Sequence, residues 1–169
     1  MEANPKIQIK LTVFDKGLEI GAIILLIIIW ILAPFNYFIS PDTVPIHFNL
    51  SGKPDGCGSK VAMLLLPVIP TIIYLVLTLL NEYPHFYNYI TKITVKNAMR
   101  QYTIATRMIR ILKLSVMFIF IIDSLCTLLI TLGIVGGLGK WNIQFTILIL
   151  AVPTIYAVFQ LLNKNENVG

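Results

Sequence analysis

The sequence predicts an all-α fold: a membrane-embedded bundle of four helices with an ordered outer loop and a cytoplasmic amphipathic extension of the third helix. Three observations carry this expectation. Hydrophobic residues make up 57% of the 169 and charged residues 12%, with a mean hydropathy of +0.83, which is the composition of a membrane protein. Four apolar runs, 20–39, 61–80, 114–132 and 142–162, each approach the ~20 residues needed to cross about 30 Å of hydrocarbon. Lysine and arginine are shared unevenly among the segments that join these runs.

The first run follows Lys6, Lys10 and Lys16, as the core of a secretory signal would. Its apolar part exceeds the ~7 to 15 residues of such a core and no small-x-small cleavage site follows, so it is expected to stay as a span over about 17–39. Backbone polar groups must be paired within lipid, so runs of this length are helices. The second span, about 61–80, contains Pro67 and Pro70, and the fourth, about 142–162, contains Pro153. Each proline frees a carbonyl roughly one turn earlier, which Asp123, Ser124, Thr71, Tyr74 or Thr154 is placed to satisfy. The third span, about 108–133, holds Asp123 nine residues from either end of its apolar run, at the expected bilayer centre. An ionised carboxylate there costs roughly 2.5 to 3.5 kcal/mol, so Asp123 is a functional candidate expected to face the bundle or a watery cavity, either as a structural polar contact between helices or on a transport pathway. This span ends in LGIVGGLGK, whose glycines suit a tight outer turn.

Charge gives the orientation. With the N-terminus in the cytoplasm, the inner segments carry Lys6, Lys10, Lys16, Lys92, Lys96, Arg100, Arg107, Arg110, Lys113 and Lys164, and the outer ones Lys53, Lys60 and Lys140. Ten against three is a positive-inside bias that puts both termini in the cytoplasm. The net charge of +5 therefore reflects topology and inner-leaflet contact rather than nucleic-acid binding. The whole chain, 1–169, reads as one multi-pass membrane domain, with an outer loop at 40–60 and a cytoplasmic connection at 81–107.

The outer loop concentrates polar and turn-forming residues in SPDTVPIHFNLSGKPDGCGSK. Pro41 and Pro45 stiffen the approach, Gly52, Gly56 and Gly58 permit positive φ, and KPDG is a turn signal. A connection of this length is usually functional when ordered. His47 and Asp55, eight residues apart, are placed to meet across a glycine turn, with Asn49 and Lys60 nearby. Such a cluster either locks the loop or recognises a polar ligand.

Pro41, Pro45, His47, Phe48, Gly52, Pro54, Asp55 and Lys60 fall on the pattern P-x-x-[VI]-P-x-H-[FW]-x-x-x-G-x-[PA]-D-x-[WFY]-x-x-K. The segment thus resembles the signature of a bacterial membrane family, domain of unknown function 1648, with Cys57 where the family carries an aromatic. FYNYITKITVKNAMRQY is similar to the cytoplasmic segment of the same family. The family includes the N-terminal part of Sdp-type immunity proteins, which protect a bacterium from a secreted toxin and relay its presence. The resemblance therefore implies the bacterial cytoplasmic (inner) membrane and a role in immunity or signalling.

Within the connection, 94–113 has helical periodicity, with Lys96, Arg100, Arg107 and Arg110 on one face and Ala105, Met108, Ile109 and Leu112 opposite. This amphipathic helix runs without a breaker into the third span, giving a rod over 97–132 of about 54 Å. The basic face implies contact with anionic lipid or docking of a cytoplasmic protein partner.

Cys57 and Cys126 are separated by the topology, and His85 lies across the membrane from His47, so neither an internal disulfide nor a two-histidine metal site is expected. No nucleophile–base pair is visible either, and the sequence predicts neither an enzyme nor a cofactor. The leading functional expectation is a small binding, sensory or immunity-type membrane protein. It would use Pro45, His47, Asn49, Asp55 and Lys60 to recognise an extracytoplasmic peptide, lipid or small molecule. The alternative is a proton- or ion-coupled small-solute transporter using Asp123. Orientation is checked with a thiol reagent that cannot cross membranes: it labels Cys57 in intact cells, whereas labelling only after lysis would reverse the topology.

Overall fold

The computed structural model describes residues 4–163, so Lys164 lies outside the described residues. Helix α1 (Val13–Ile39) starts where the Thr12 hydroxyl accepts from the Asp15 amide at 3.2 Å and the Asp15 carboxylate accepts from the Thr12 amide at 3.0 Å. This reciprocal cap satisfies two amides that the first turn leaves unpaired. The helix ends at Ser40, directly before Pro41, since proline disfavours helical backbone in the residue ahead of it.

Residues 40–60 fold as an antiparallel hairpin of β1 (Thr43–Phe48) and β2 (Pro54–Ser59), with Thr43 opposite Ser59 and irregular register on either side of His47. The fold is therefore mostly helical with a small two-stranded sheet, which corrects the all-α expectation. The turn is not at KPDG either. It lies at 49–53, where the Asn49 side-chain oxygen accepts from the amides of Ser51 (2.9 Å) and Lys53 (3.1 Å), and Gly52 takes φ +72°. Pro54, Asp55 and Gly56 already belong to β2. Gly56 and Gly58 do not adopt positive φ; they make room across the hairpin, because a Cβ on Gly56 would press on the His47 Cβ at 3.0 Å and one on Gly58 would overlap the Ile46 side chain.

A 3₁₀ turn (Lys60–Leu64) leads into α2 (Leu65–Glu82), where the Thr71 hydroxyl donates to the Pro67 carbonyl at 2.6 Å and accepts from the Trp30 indole at 3.0 Å, tying α2 to α1. After a short turn at Pro84–Phe86 comes α3 (Val95–Thr131), 37 residues and ~55 Å long. It is capped by Thr94 and Asn97 as α1 is by Thr12 and Asp15. Helix α4 (Asn142–Leu162) completes the set. All four helices are long and apolar enough to cross a membrane.

Helix α3 is the common contact: α1, α2 and α4 each pack on it, and α1 also meets α2. The core is narrow, with Ala22, Leu26 and Ile29 from one stripe of α1 against Met117, closed by Tyr74, Leu114 and Phe120. Ile20, Ile24, Ile27 and Ile31 on the other side of α1 are exposed, as suits a helix whose surroundings are hydrocarbon. A second small core of Ile93, Ala98 and Tyr102 packs with Ile7 and Ile9 and closes the end of the bundle that carries the termini.

At the opposite end the hairpin turn docks on the α3–α4 connector, 132–141, through main chain. The Leu138 amide donates to the Gly52 carbonyl at 2.8 Å, a Cβ on Gly137 would overlap that carbonyl, and a Cβ on Gly52 would overlap the Gly139 backbone. Gly52→Ala is expected to cost roughly 1–2 kcal/mol from its left-handed backbone alone, with the overlap adding to this. Thermal unfolding of the detergent-solubilised protein checks the loss, and faster thiol labelling of Cys57 reports the freed hairpin.

Candidate functional site

Beneath the hairpin lies a cavity of about 390 Å³. Strand β1 contributes Pro45, Ile46 and Phe48, α2 contributes Leu66 and Ile69, and α3 contributes Asp123 and Thr127. A second cavity of about 460 Å³ lies between α3 and α4, bordered by Trp141 and Phe145 and again by Asp123. Asp123 is the single ionisable residue on both linings. One of its oxygens accepts from the Asn142 side-chain amide at 3.1 Å, and the other holds no hydrogen bond among the described residues. The site thus offers a carboxylate oxygen to a largely apolar space.

The depth of Asp123 differs from expectation. It sits beside Asn142, the first residue of α4, and its neighbour Ser124 accepts from Asn36, three residues from the end of α1, at 3.1 Å. Asp123 therefore lies near the hairpin ends of α1 and α4 rather than midway along the bundle. The cause is the length of α3, which continues to Thr131 and overshoots its neighbours.

The hairpin residues divide. The His47 ring nitrogen Nδ1 and Asp55 Oδ1 do meet, at 2.5 Å, but with side chains 72% and 41% exposed they form a surface pair rather than the wall of a pocket. Asn49 is taken up by its own turn. Lys60 pairs with Asp42 at 3.0 Å and lies over the Tyr37 ring, 5.2 Å from its centre, so it is apart from His47. Of the five, Pro45 alone borders the cavity.

The basic face of α3 divides as well. Arg107 makes two bonds to the buried carboxylate of Asp15, at 2.8 and 3.1 Å. Arg110 (3.2 Å) and Lys113 both approach Glu19, and the fully buried Lys113 also donates to the Thr78 hydroxyl at 2.9 Å and lies 4.7 Å from the Tyr74 ring centre. Arg107 and Arg110 thus bind α1 inside the chain. Arg100 donates to the Gln160 carbonyl at 3.0 Å, satisfying a free carbonyl at the end of α4, while Lys96 is exposed. The sequence reading missed Asp15 and Glu19. The signal was present, because two acids four residues apart on one face of α1 are the natural complement of a basic stripe on a neighbouring helix.

The 83–94 segment is held by its own phenols. The Tyr87 hydroxyl donates to the Leu80 carbonyl at 2.6 Å and the Tyr89 hydroxyl to the Pro84 carbonyl at 3.0 Å. Burial pushes Tyr87 up to about 12 against the opposing effect of Arg110, and pushes Tyr89 higher still, helped by the Tyr87 and Tyr102 phenols. Both therefore stay protonated and donate at neutral pH.

Residues 24–71, which include the hairpin, match the sequence model of the family described as Domain of unknown function (DUF1648), the family that the hairpin motif resembles. An uncharacterized protein of the archaeon Archaeoglobus fulgidus is 36% identical over an 86-residue alignment covering 46% of this chain and 47% of that one. The match thus spans about half the length of that relative. No solved structure is significantly similar.

Glu19→Gln leaves Arg110 and Lys113 buried without their carboxylate. A loss of roughly 3–5 kcal/mol is expected, read as a lower thermal midpoint, whereas Gln at the exposed Lys16 leaves the midpoint unchanged.

Proposed function

We propose that this multi-pass membrane protein is a binding and sensory module. It takes up an amphiphilic ligand, an apolar body with a cationic or hydrogen-bond-donating group, between the hairpin and the end of the bundle. The observation that carries this reading is the chemistry of the cavity: apolar side chains from β1, α2 and the connector surround one carboxylate with an unoccupied oxygen. A charge-assisted bond is strongest where water is excluded, so Asp123 would select the ligand while the apolar walls supply affinity. The exposed His47–Asp55 pair then belongs to the rim, where a ligand's polar part or a partner peptide would meet it. With the hairpin outside the cell, as the lysine and arginine bias implies, the ligand arrives from the exterior. A toxin peptide, as the immunity-type resemblance suggests, is one such ligand.

Coupled transport through Asp123 is the second reading. Towards the terminal end from Asp123, Ala22, Leu26, Ile29 and Met117 pack as an apolar core between α1 and α3, which favours binding over passage.

Dodecylammonium, an alkyl chain with a cationic head, serves as the probe. Added to the protein in nanodiscs, it is expected to bind saturably above its partition into empty nanodiscs in isothermal titration calorimetry, and Asp123→Asn to raise the half-saturating concentration about tenfold or more. A response that never saturates, or that survives Asp123→Asn unchanged, sinks this reading. Loss of solute flux in proteoliposomes on the same substitution would put transport first.

A further inference from the structure

We propose that the groove between α3 and α4 at the terminal end of the bundle is a seat for one anionic phospholipid. Lys96 and Arg100 hold its phosphate, and Ile104, Met108 and Ile111 line the path of an acyl chain. This site is independent of the cavity under the hairpin.

The groove measures about 680 Å³ and follows one stripe of α3, from Lys96 to Ile111, against one stripe of α4, from Pro153 to Gln160. Along α3, Lys96 to Ile111 is a rise of ~22 Å at 1.5 Å per residue, matching one leaflet of hydrocarbon plus its headgroup layer. Polarity is ordered along this length. Lys96 and Arg100 stand at one end, and Ile104, Met108, Ile111 and Pro153 continue towards the middle of the bundle. A soluble anion would need only the first part; an amphiphile uses both.

Depth agrees with this. The last carbonyls of α4 accept from Arg100 (Gln160, 3.0 Å) and Gln101 (Leu161, 3.2 Å), so the apolar surface of α4 ends level with these residues. Hydrocarbon covering α4 therefore gives way to headgroups where the cations of the groove begin. Among the described residues the charge there is uncompensated: no acidic residue lines the groove, Arg107, between Ile104 and Met108 on its lining, is paired with Asp15, and neither Arg100 nor Lys96 has a carboxylate partner. Each cation near an anionic headgroup adds favourable energy, and Arg100 needs only one of its donors for Gln160. A lipid in this position would brace α4, which packs chiefly on α3.

The test uses the full chain, extracted from bilayers of equal phosphatidylglycerol and phosphatidylcholine and examined by native mass spectrometry. Phosphatidylglycerol is expected to stay bound in preference to phosphatidylcholine. Lys96→Gln with Arg100→Gln should lower its retention about thirtyfold. Ile104→Trp, which fills the groove and keeps both cations, should lower it too, and this variant carries the test if the double variant does not fold. Millimolar inorganic phosphate should leave the lipid in place. Equal retention of the two lipids, unchanged retention in a folded variant, or displacement by inorganic phosphate would each overturn the proposal.

Discussion

Two carboxylates on α1 fix where that helix lies along α3, and the rest of the bundle is built on that register. Asp15 answers Arg107, and Glu19 answers Arg110 and Lys113 one turn further on. Apolar helices can slide past one another in lipid at little cost, since isoleucine meets hydrocarbon equally well at any height. Buried charges cannot, because a one-turn slip would leave each without its partner. With α1 pinned there, Asn36 arrives beside Ser124 and Ala22, Leu26 and Ile29 meet Met117. The hairpin that follows α1 then emerges over Asp123. Lys113 extends the constraint to α2 through Thr78 and Tyr74, so one cluster indexes three helices.

Much of this architecture was legible in the residues. The four spans follow from apolar length, which lipid enforces without regard to detail. The hairpin motif was legible as something special, but not as a sheet. Strand β2 reads Pro-Asp-Gly-Cys-Gly-Ser, with no β-branched or aromatic side chain to announce it, and its pairing comes from backbone bonds. The turn was misplaced because Asn49 bends the chain through its own side chain, a local competition that KPDG outweighed on paper. Asp123 was found as an isolated acid in an oily run, yet its depth was not, because depth depends on where α4 begins and on how far α3 overshoots. The basic stripe on α3 looked like one surface. Long side chains on one arc reach different neighbours, and Arg107 and Arg110 turned to α1 while Lys96 and Arg100 stayed with the α4 side.

The two ends of the molecule are organised by different physics. At the terminal end, charges, phenols and caps tie chain segments together: Tyr102 donates to the Pro5 carbonyl at 2.9 Å, Asn4 to the His85 carbonyl at 3.0 Å, and the Thr94–Asn97 cap starts α3. These are specific side-chain contacts, each lost with its residue. At the hairpin end the tie that docks the hairpin turn on the α3–α4 connector is between backbones.

That seam of Gly52, Gly137 and Gly139 has an evolutionary corollary. Its hydrogen bond and close approaches involve only peptide atoms, so Leu50, Ser51, Lys53, Ile134 and Lys140 are free to drift in size and charge while the crown keeps its shape. Descendants of such a chain would be able to acquire new specificities there quickly, with three residues that lack side chains acting as the fixed frame.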